Sequence, residues 1–408
     1  MKEFSFTKNG DKILFVVALA VLAIGLFHVW RNSSRVIDAA SPPVTIVFTQ
    51  WWQPAAGPGG LAPAMPGSVS PHASEENILL NLIREFEDTH EGIRVILRYK
   101  SYEDLLVELL DIYDDNFQGD VLALDPLWIS TLKKNETIEY ASPPLLSFVN
   151  VLFYNIDILL EAGFIRPPNT RSEFVSYART VAGMEGNRLP LVVDASGSRR
   201  LHDDVYPWIW SSGGQLTRDG SPQVNSPPVV NSLSFLTSLK NENLLVHGNK
   251  LEEFSRGNAA FMISSSRDID FVRERLGDMS FDITNIPLPD NYAGQSYFGG
   301  MQWAIGINSA SDHIEEARLF IDFLAERAHL LANNMGALPT GDGLPGSDPI
   351  HAKVWDIVMA WQPGEEYSAL PWLEMEKIFD EELTSLFAGE MTAAQTAAAI
   401  QRRWAEQL

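Results

Sequence analysis

Val44-Thr45-Ile46-Val47-Phe48-Thr49-Gln50-Trp51-Trp52 passes from a β-branched apolar run into two tryptophans, after which Gln53 to Gly60 (QPAAGPGG) suits neither helix nor sheet. The run from Val44 to Phe48 suits a strand covered on both faces, where apolar residues are continuous rather than alternating. Two large side chains at its carboxyl end fall at the edge of a parallel sheet where crevices and ligands lie. The residues that follow keep this reading. Glu76 to Phe86 has helical apolar spacing, Ile93 to Leu97 is strand-like, Tyr102 to Tyr113 is helical again, and Asp120 to Leu124 is a further strand. Strand, helix, strand, helix, strand predicts a mainly parallel sheet with covered faces.

At 408 residues and 45% hydrophobic composition, the chain can bury large cores, and its length favours two domains or lobes. A formal net charge of −23, without a basic cluster beyond the N-terminus, argues against nucleic acid as a partner. The absence of cysteine excludes disulfides, thiolate metal sites, cysteine nucleophiles and a lipid-modified cysteine anchor. Ile13 to Phe27 is uninterrupted and apolar, continues through His28-Val29-Trp30, and is flanked by Lys2, Lys8 and Lys12 before and Arg31 and Arg35 after. This predicts an export segment. Its length and the lack of a small-x-small site before Asp38-Ala39-Ala40 favour an uncleaved transmembrane anchor over a cleaved signal peptide. Residues 1–12 are then the cytoplasmic flank, 13–30 the anchor and 31–43 a polar spacer, with the remainder facing the periplasm or extracytoplasmic side.

Capping-box patterns at Thr170 to Glu173, Asp312 to Glu315 and Thr392 to Gln395 predict helix starts, and Gly213-Gly214, Pro227-Pro228 and Gly299-Gly300 mark breaks. Enzyme motifs fare poorly. Gly57-Pro58-Gly59-Gly60-Leu61-Ala62 fits a dinucleotide pattern, but Pro63, Pro66 and Pro71 deny it the helix N-terminus that a pyrophosphate needs. Asp114, Asn116, Gln118, Gly119 and Asp125 only loosely echo a calcium loop and suit a helix-to-strand turn better. The histidines are scattered, no G-x-S-x-G elbow occurs, and the pairs Asp203-Asp204, Glu315-Glu316, Glu365-Glu366 and Glu381-Glu382 read as solvated faces before acid/base pairs. No catalytic residue, metal site or cofactor is expected.

The aromatics remain. Trp51 and Trp52 end the first strand, Trp128 follows Leu124-Asp125, Tyr206, Trp208 and Trp210 precede Gly213-Gly214, and Trp372 begins a late helix. Flat rings beside carboxylates and amides suit a sugar, whose C–H face stacks while its hydroxyls are hydrogen-bonded; the same rings suit a core. Trp208 and Trp210 lie about 200° apart around a helix, so one of them belongs to the core. Trp303, in step with Ile305 and Ile307, reads as core as well.

From about Val44 onwards the chain resembles the extracellular solute-binding proteins of family 1, the maltose-binding-protein-like carbohydrate receptors of bacterial ABC importers. The resemblance rests on segments in the family's order: Pro144 to Asn155 as hinge strand, Ala162-Gly163-Phe164 with Pro167 to Phe174, Trp208 to Leu216 as a helix ending in Gly-Gly, Phe254 to Ile263, Ile286 to Pro289 with Gly299-Gly300 through Ile305, and Gly336 to Thr340. It implies an α/β, two-lobed periplasmic-binding-protein fold of type II-like order, with hinge-linked discontinuous lobes. Residues 44–150 and 283–311 would form lobe 1, and 151–282 and 312–408 lobe 2, with chain crossings near Asn150, Ile283 to Pro287 and Ser311.

Ligand would lie between lobes that close by hinge motion. The implied partners are a carbohydrate and the permease subunits of an ABC transporter, with the receptor monomeric. Trp51, Trp52, Tyr206, Trp208 and Trp372 would stack on ligand, Asp125, Asp203 and Arg267 would hydrogen-bond it, and Gly300 would let backbone approach it. Three features depart from the family. Arg267 follows Ser264-Ser265-Ser266 where a tryptophan is common, residues 54–71 form a Pro/Gly-rich insertion, and the anchoring cysteine is missing. A carbohydrate-acting enzyme, or a tethered sensor or scaffold on the same fold, is the alternative.

Overall fold

The computed structural model describes residues 43–51, 73–110, 119–186, 188–194, 201–276, 280–335, 337–339, 348–364 and 370–408. The apolar run 13–30, Trp52, the 54–71 insertion, Gly336 and Thr340 lie outside the described residues. Among the described residues, no helix is long and apolar enough to cross a membrane.

The chain begins with β1 (Val44–Gln50), α1 (Ala73–Thr89), β2 (Ile93–Tyr99), α2 (Tyr102–Leu110), β3 (Val121–Leu124), α3 (Pro126–Lys134), β4 (Ile138–Ala141) and β5 (Leu146–Ser147). It continues with β6 (Asn150–Asn155), α4 (Ile156–Glu161), α5 (Arg171–Ala182), β7 (Leu189–Asp194), α6 (His202–Ser211), β8 (Thr217–Arg218), β9 (Ser221–Pro222) and α7 (Pro227–Asn241). Next come β10 (Leu245–Gly248), α8 (Lys250–Ser255), β11 (Ala259–Ser265), α9 (Ile269–Arg275), β12 (Phe281–Thr284), β13 (Tyr297–Phe298) and β14 (Gln302–Asn308). The last elements are α10 (Ile314–Glu326), α11 (Ala328–Met335), β15 (Leu338–Pro339), α12 (Pro349–Ala360), β16 (Gln362–Pro363), α13 (Trp372–Ala388) and α14 (Ala393–Ala405).

Two sheets organise two lobes. The first has the order β15-β5-β14-β3-β1-β2, with β4 also paired to β14, and β1 lies parallel to both β2 and β3 as the opening run predicts. The second has the order β10-β7-β11-β6-β12. Phe48, Phe86, Trp128, Trp303 and Phe320 lie in the core of the first. In the second sheet the period of two decides the faces: Leu152 and Tyr154 of β6 join one core, and Val151 and Phe153 join the other.

Two of the expected crossings move. Thr284 still pairs with Leu152 in the second sheet and Leu288 bridges Thr170, so the chain has not yet left that lobe at Ile283 to Pro287. It leaves at Gly299 to Met301, beside the outgoing segment, where Phe148 N–H donates to Met301 O (2.8 Å) and Asn150 N–H to Gly299 O (2.9 Å). Nor does it cross at Ser311. Ala317, Phe320, Ile321, Phe323 and Leu324 of α10 are buried in the first core, with Phe320 edge-on to Phe48 (5.5 Å) and Phe86 (5.0 Å). The strand β15 then pairs with β5 while its Leu338 joins the core around Phe153, and α12 returns to the second lobe, packing Val354 and Ile357 into that core.

Of the three helix starts expected from capping boxes, two carry the expected cap. Thr392 and Gln395 form the full reciprocal capping box, and Thr170 Oγ1 accepts from Glu173 N–H. Asp312 is not the cap of α10; His313 holds that position without a side-chain bond.

Candidate functional site

Lobe 1 presents Trp51, Tyr102, Asp125 and Trp128 together. Trp51 follows β1 directly, is 6% exposed, and stands edge-on to Tyr102 with ring centroids 5.3 Å apart. Trp128 Nε1–H donates to Tyr102 Oη (3.0 Å), and Tyr102 O–H donates to Asp125 Oδ2 (3.1 Å). Asp125 also caps α3, its Oδ1 accepting from Leu127 N–H at 3.1 Å. This carboxylate at the end of β3 therefore fixes both a helix N-terminus and an aromatic wall.

Arg267 comes from lobe 2, on the 3-10 turn Ser266–Asp268 after β11. Its guanidinium carbon lies 5.8 Å from the Trp51 ring centroid, so the two lobes meet at this pair. They meet again where α3 faces α13. Thr131 O–H donates to Glu374 Oε2 (3.0 Å), and Leu373 packs on the first core although its helix belongs to the second.

Behind α13 lies an ionic cluster that motif spacing does not show. His202 is buried at the start of α6; its backbone N–H donates to Asp380 Oδ1 (2.8 Å) and its Nδ1 lies 2.9 Å from Asp380 Oδ2. Its Nε2 lies 3.4 Å from Glu376 Oε1 and 3.8 Å from Asp203 Oδ1. Burial alone would lower the His202 pKa, but Glu376, Asp380 and Asp203 together push it up to about 10, so the imidazolium is kept. Burial pushes Glu376 up to about 8 against the pull of His202, with Asp203, Asp125 and Asp380 adding to the rise. Beside it, Lys250 Nζ lies 2.8 Å from Asp204 Oδ1 and 3.4 Å from Asp194 Oδ2. Burial opposes the Lys250 charge, but those carboxylates overcome it and raise its pKa. Among the described residues, no group of three or more His, Asp or Glu side chains could hold a metal.

Of the residues expected to touch ligand, Trp51, Asp125 and Arg267 come together and Asp203 lies beside His202. Trp52 lies outside the described residues. The remaining four are placed elsewhere by packing. Trp208 is fully buried against Phe174 (5.2 Å) and Phe235 (5.2 Å), and Trp372 against Trp404 (5.7 Å). Tyr206 is 2% exposed, its ring meeting those of His202, Trp210 and Phe379. At Gly300 a Cβ would meet Phe148 O at 2.5 Å, so the strand crossing itself requires a residue without a side chain there. Trp210, the partner of Trp208 on α6, packs over Gly299 and Gly364 at the same crossing. Trp303 is core as expected, its Nε1–H donating to Gln50 Oε1 at 3.2 Å. Tyr102 and Glu376 are the residues the sequence reading misses. The signal for Glu376 is present but faint, since Glu376 and Asp380 fall in step with Trp372, Met375, Phe379 and Leu383 on the buried face of α13.

Two α/β lobes joined at adjacent crossing strands, with polar and aromatic side chains of both lobes meeting at sheet edges, define a solute-binding protein of the two-lobed class. The family model for bacterial extracellular solute-binding proteins matches residues 72–329, and the chain belongs to that family. Maltose-bound MalE3 of T. maritima is similar over 90% of this chain and 100% of that one, at 18% identity and a TM-score of 0.66. The GacH receptor of Streptomyces glaucescens, solved unliganded and with acarbose, is similar at 16% identity and 0.68, covering 90% of this chain and 98% of that one. UgpB of Mycobacterium tuberculosis in complex with glycerophosphocholine reaches 0.69 at 16% identity, with the same coverages of 90% and 98%.

Proposed function

We propose that the chain captures a carbohydrate between its lobes and delivers it, without chemical turnover, to the permease subunits of an ABC importer outside the cytoplasm. The observation that carries this reading is the meeting of Trp51 and Arg267 across the lobes, with Asp125 and Tyr102 behind them. The Trp51 indole N–H is buried and finds no acceptor among the described residues, which is a donor a ligand hydroxyl would satisfy. Sugar recognition uses this set: a ring face, fixed carboxylate acceptors and a donor fork. The maltose and acarbose complexes of the similar structures support the ligand class. Arg267, at the place where the family often has tryptophan, favours a sugar that carries an acid group.

In this reading, lobe 1 runs to Ser147 and resumes from Gln302 to Pro339, while lobe 2 comprises Asn150 to Phe298 and the chain from Pro349 onwards. The apolar run 13–30, with basic residues on both sides, holds the monomeric receptor at the membrane, and residues 31–43 space it from the surface. A thermal-shift screen across neutral sugars, acidic sugars and polyamines tests the ligand class, because a ligand that binds only the folded state raises the melting temperature. A sugar is expected to give the largest rise; a rise with a polyamine and none with any sugar contradicts the reading.

A further inference from the structure

Each of the three serines before Arg267 makes a bond of its own. Ser264 O–H donates to Asp268 Oδ2, Ser265 Oγ accepts from Arg267 N–H (3.3 Å), and Ser266 Oγ accepts from Val149 N–H (3.2 Å). Ser266 N–H also donates to Val149 O (2.8 Å), so these two fully buried residues are paired in both directions. Val149 stands where the chain changes lobe: Phe148 belongs to the first core, and Val149 and Val151 belong to a core of the second sheet. Successive N–H groups of an extended segment point to opposite sides. Phe148 and Asn150 therefore bond the returning strand at Met301 O and Gly299 O, while Val149 between them faces the turn that carries Arg267.

We propose that Ser266 is the positioning residue for Arg267, fixing its turn to the boundary residue Val149 so that a contact made by the guanidinium in the cleft is felt as rotation of the lobes; this rests on the cleft of the proposed function and not on the identity of its ligand. The chemistry at Ser266 explains why a serine stands there. β11 pairs with β6 as far as Ser265 with Asn150, and the next pair, Ser266 with Val149, reaches the lobe boundary. An antiparallel pair of this kind exchanges two N–H to carbonyl bonds. The Ser266 carbonyl, however, is taken by Ile269 N–H, which closes the 3-10 turn. The hydroxyl oxygen supplies the missing acceptor, so one residue both turns the chain and holds Val149. Alanine in its place would leave the buried Val149 N–H without that acceptor. Held in this way, Arg267 reaches across the boundary to the Trp51 ring, 5.8 Å from its guanidinium carbon.

The test needs no ligand. The chain has no cysteine, so Glu91→Cys on lobe 1 and Glu185→Cys on lobe 2, both exposed, accept a nitroxide pair in the full-length protein in detergent. Pulsed-resonance distances are recorded for the parent, Ser266→Ala, Arg267→Ala and the double variant, with circular dichroism to verify folding. Each single change is expected to lower the ratio of short to long distances by about two- to tenfold, and the double change by no more than the larger single one. A serine that only fills the core gives no change, or changes that add. Amide exchange gives a second reading that needs no serine variant, and it carries the test should Ser266→Ala fail to fold. Coupling is reciprocal, so Arg267→Ala should speed exchange of the Val149 amide by about two- to tenfold while Phe261, further back on β11, keeps its rate. Additive losses, parent-like distances in either folded single variant, or an unchanged Val149 amide overturn the proposal. Failure of the carbohydrate reading would show instead in the thermal-shift screen and would leave these distances and rates as they are.

Discussion

Trp51 and Trp208 look alike in the sequence, and packing separates them. Trp51 ends a strand at the edge of its core, its ring meeting Tyr102 of its own lobe and Arg267 of the other, whereas Trp208 is surrounded by Phe174, Phe235 and the Arg171 guanidinium. Trp208→Ala should therefore cost about 3–5 kcal/mol of stability, read as a lower denaturant midpoint. Arg267→Ala should leave that midpoint unchanged and weaken ligand binding by about ten- to a hundredfold, the loss of a charge-assisted contact of 1.5–3 kcal/mol. Equal dissociation constants for wild type and Arg267→Ala would place Arg267 outside the site. His202 and Glu376 give a pH signature. The His202 pKa lies above its unfolded value, so its stabilisation is complete below about 6.5 and is lost as pH rises towards 10. Glu376 acts in the same direction, because a carboxyl held near 8 destabilises the fold increasingly between its unfolded value and 8. Melting temperature should fall from pH 6 to pH 10, and His202→Gln should flatten the fall.

Helices and strands were legible where their cause is local. The run from Val44 to Phe48, the Thr392 capping box and the alternation around Ile305 all became the expected elements. Less legible was what each element packs against. The apolar stripe of α10 says that it covers a sheet, but not which one, and Phe320 settles this only by meeting Phe48 and Phe86. The boundary expected at Ser311 moved for that reason. Gly299-Gly300 was legible as a break, yet its purpose depends on Phe148 O and the Trp210 ring, which are far away in sequence. Gly300→Ala should cost about 1–3 kcal/mol through overpacking at the crossing, measured by thermal melting without ligand. A melting temperature equal to wild type would show that the strands separate freely there.

Across the molecule, the two sheets meet, among the described residues, at the crossing strands, at Trp51 with Arg267, and at α3 with α13, where Leu127 packs on the cores of both. In the proposed function, the crossing strands are where one lobe turns against the other. The family order of motifs announced this architecture, but the site was legible only in part. Asp125, Trp51 and Arg267 could be named from position at strand ends, while Tyr102 and Glu376 become visible only when helices from different parts of the chain are packed together. The decisive measurement is titration calorimetry of the purified chain with the sugar that the thermal screen selects, followed by chromatography of the recovered ligand. One ligand bound per chain and returned unaltered is the expected result; progressive conversion of the sugar, or no saturable heat from it, would contradict capture between the lobes.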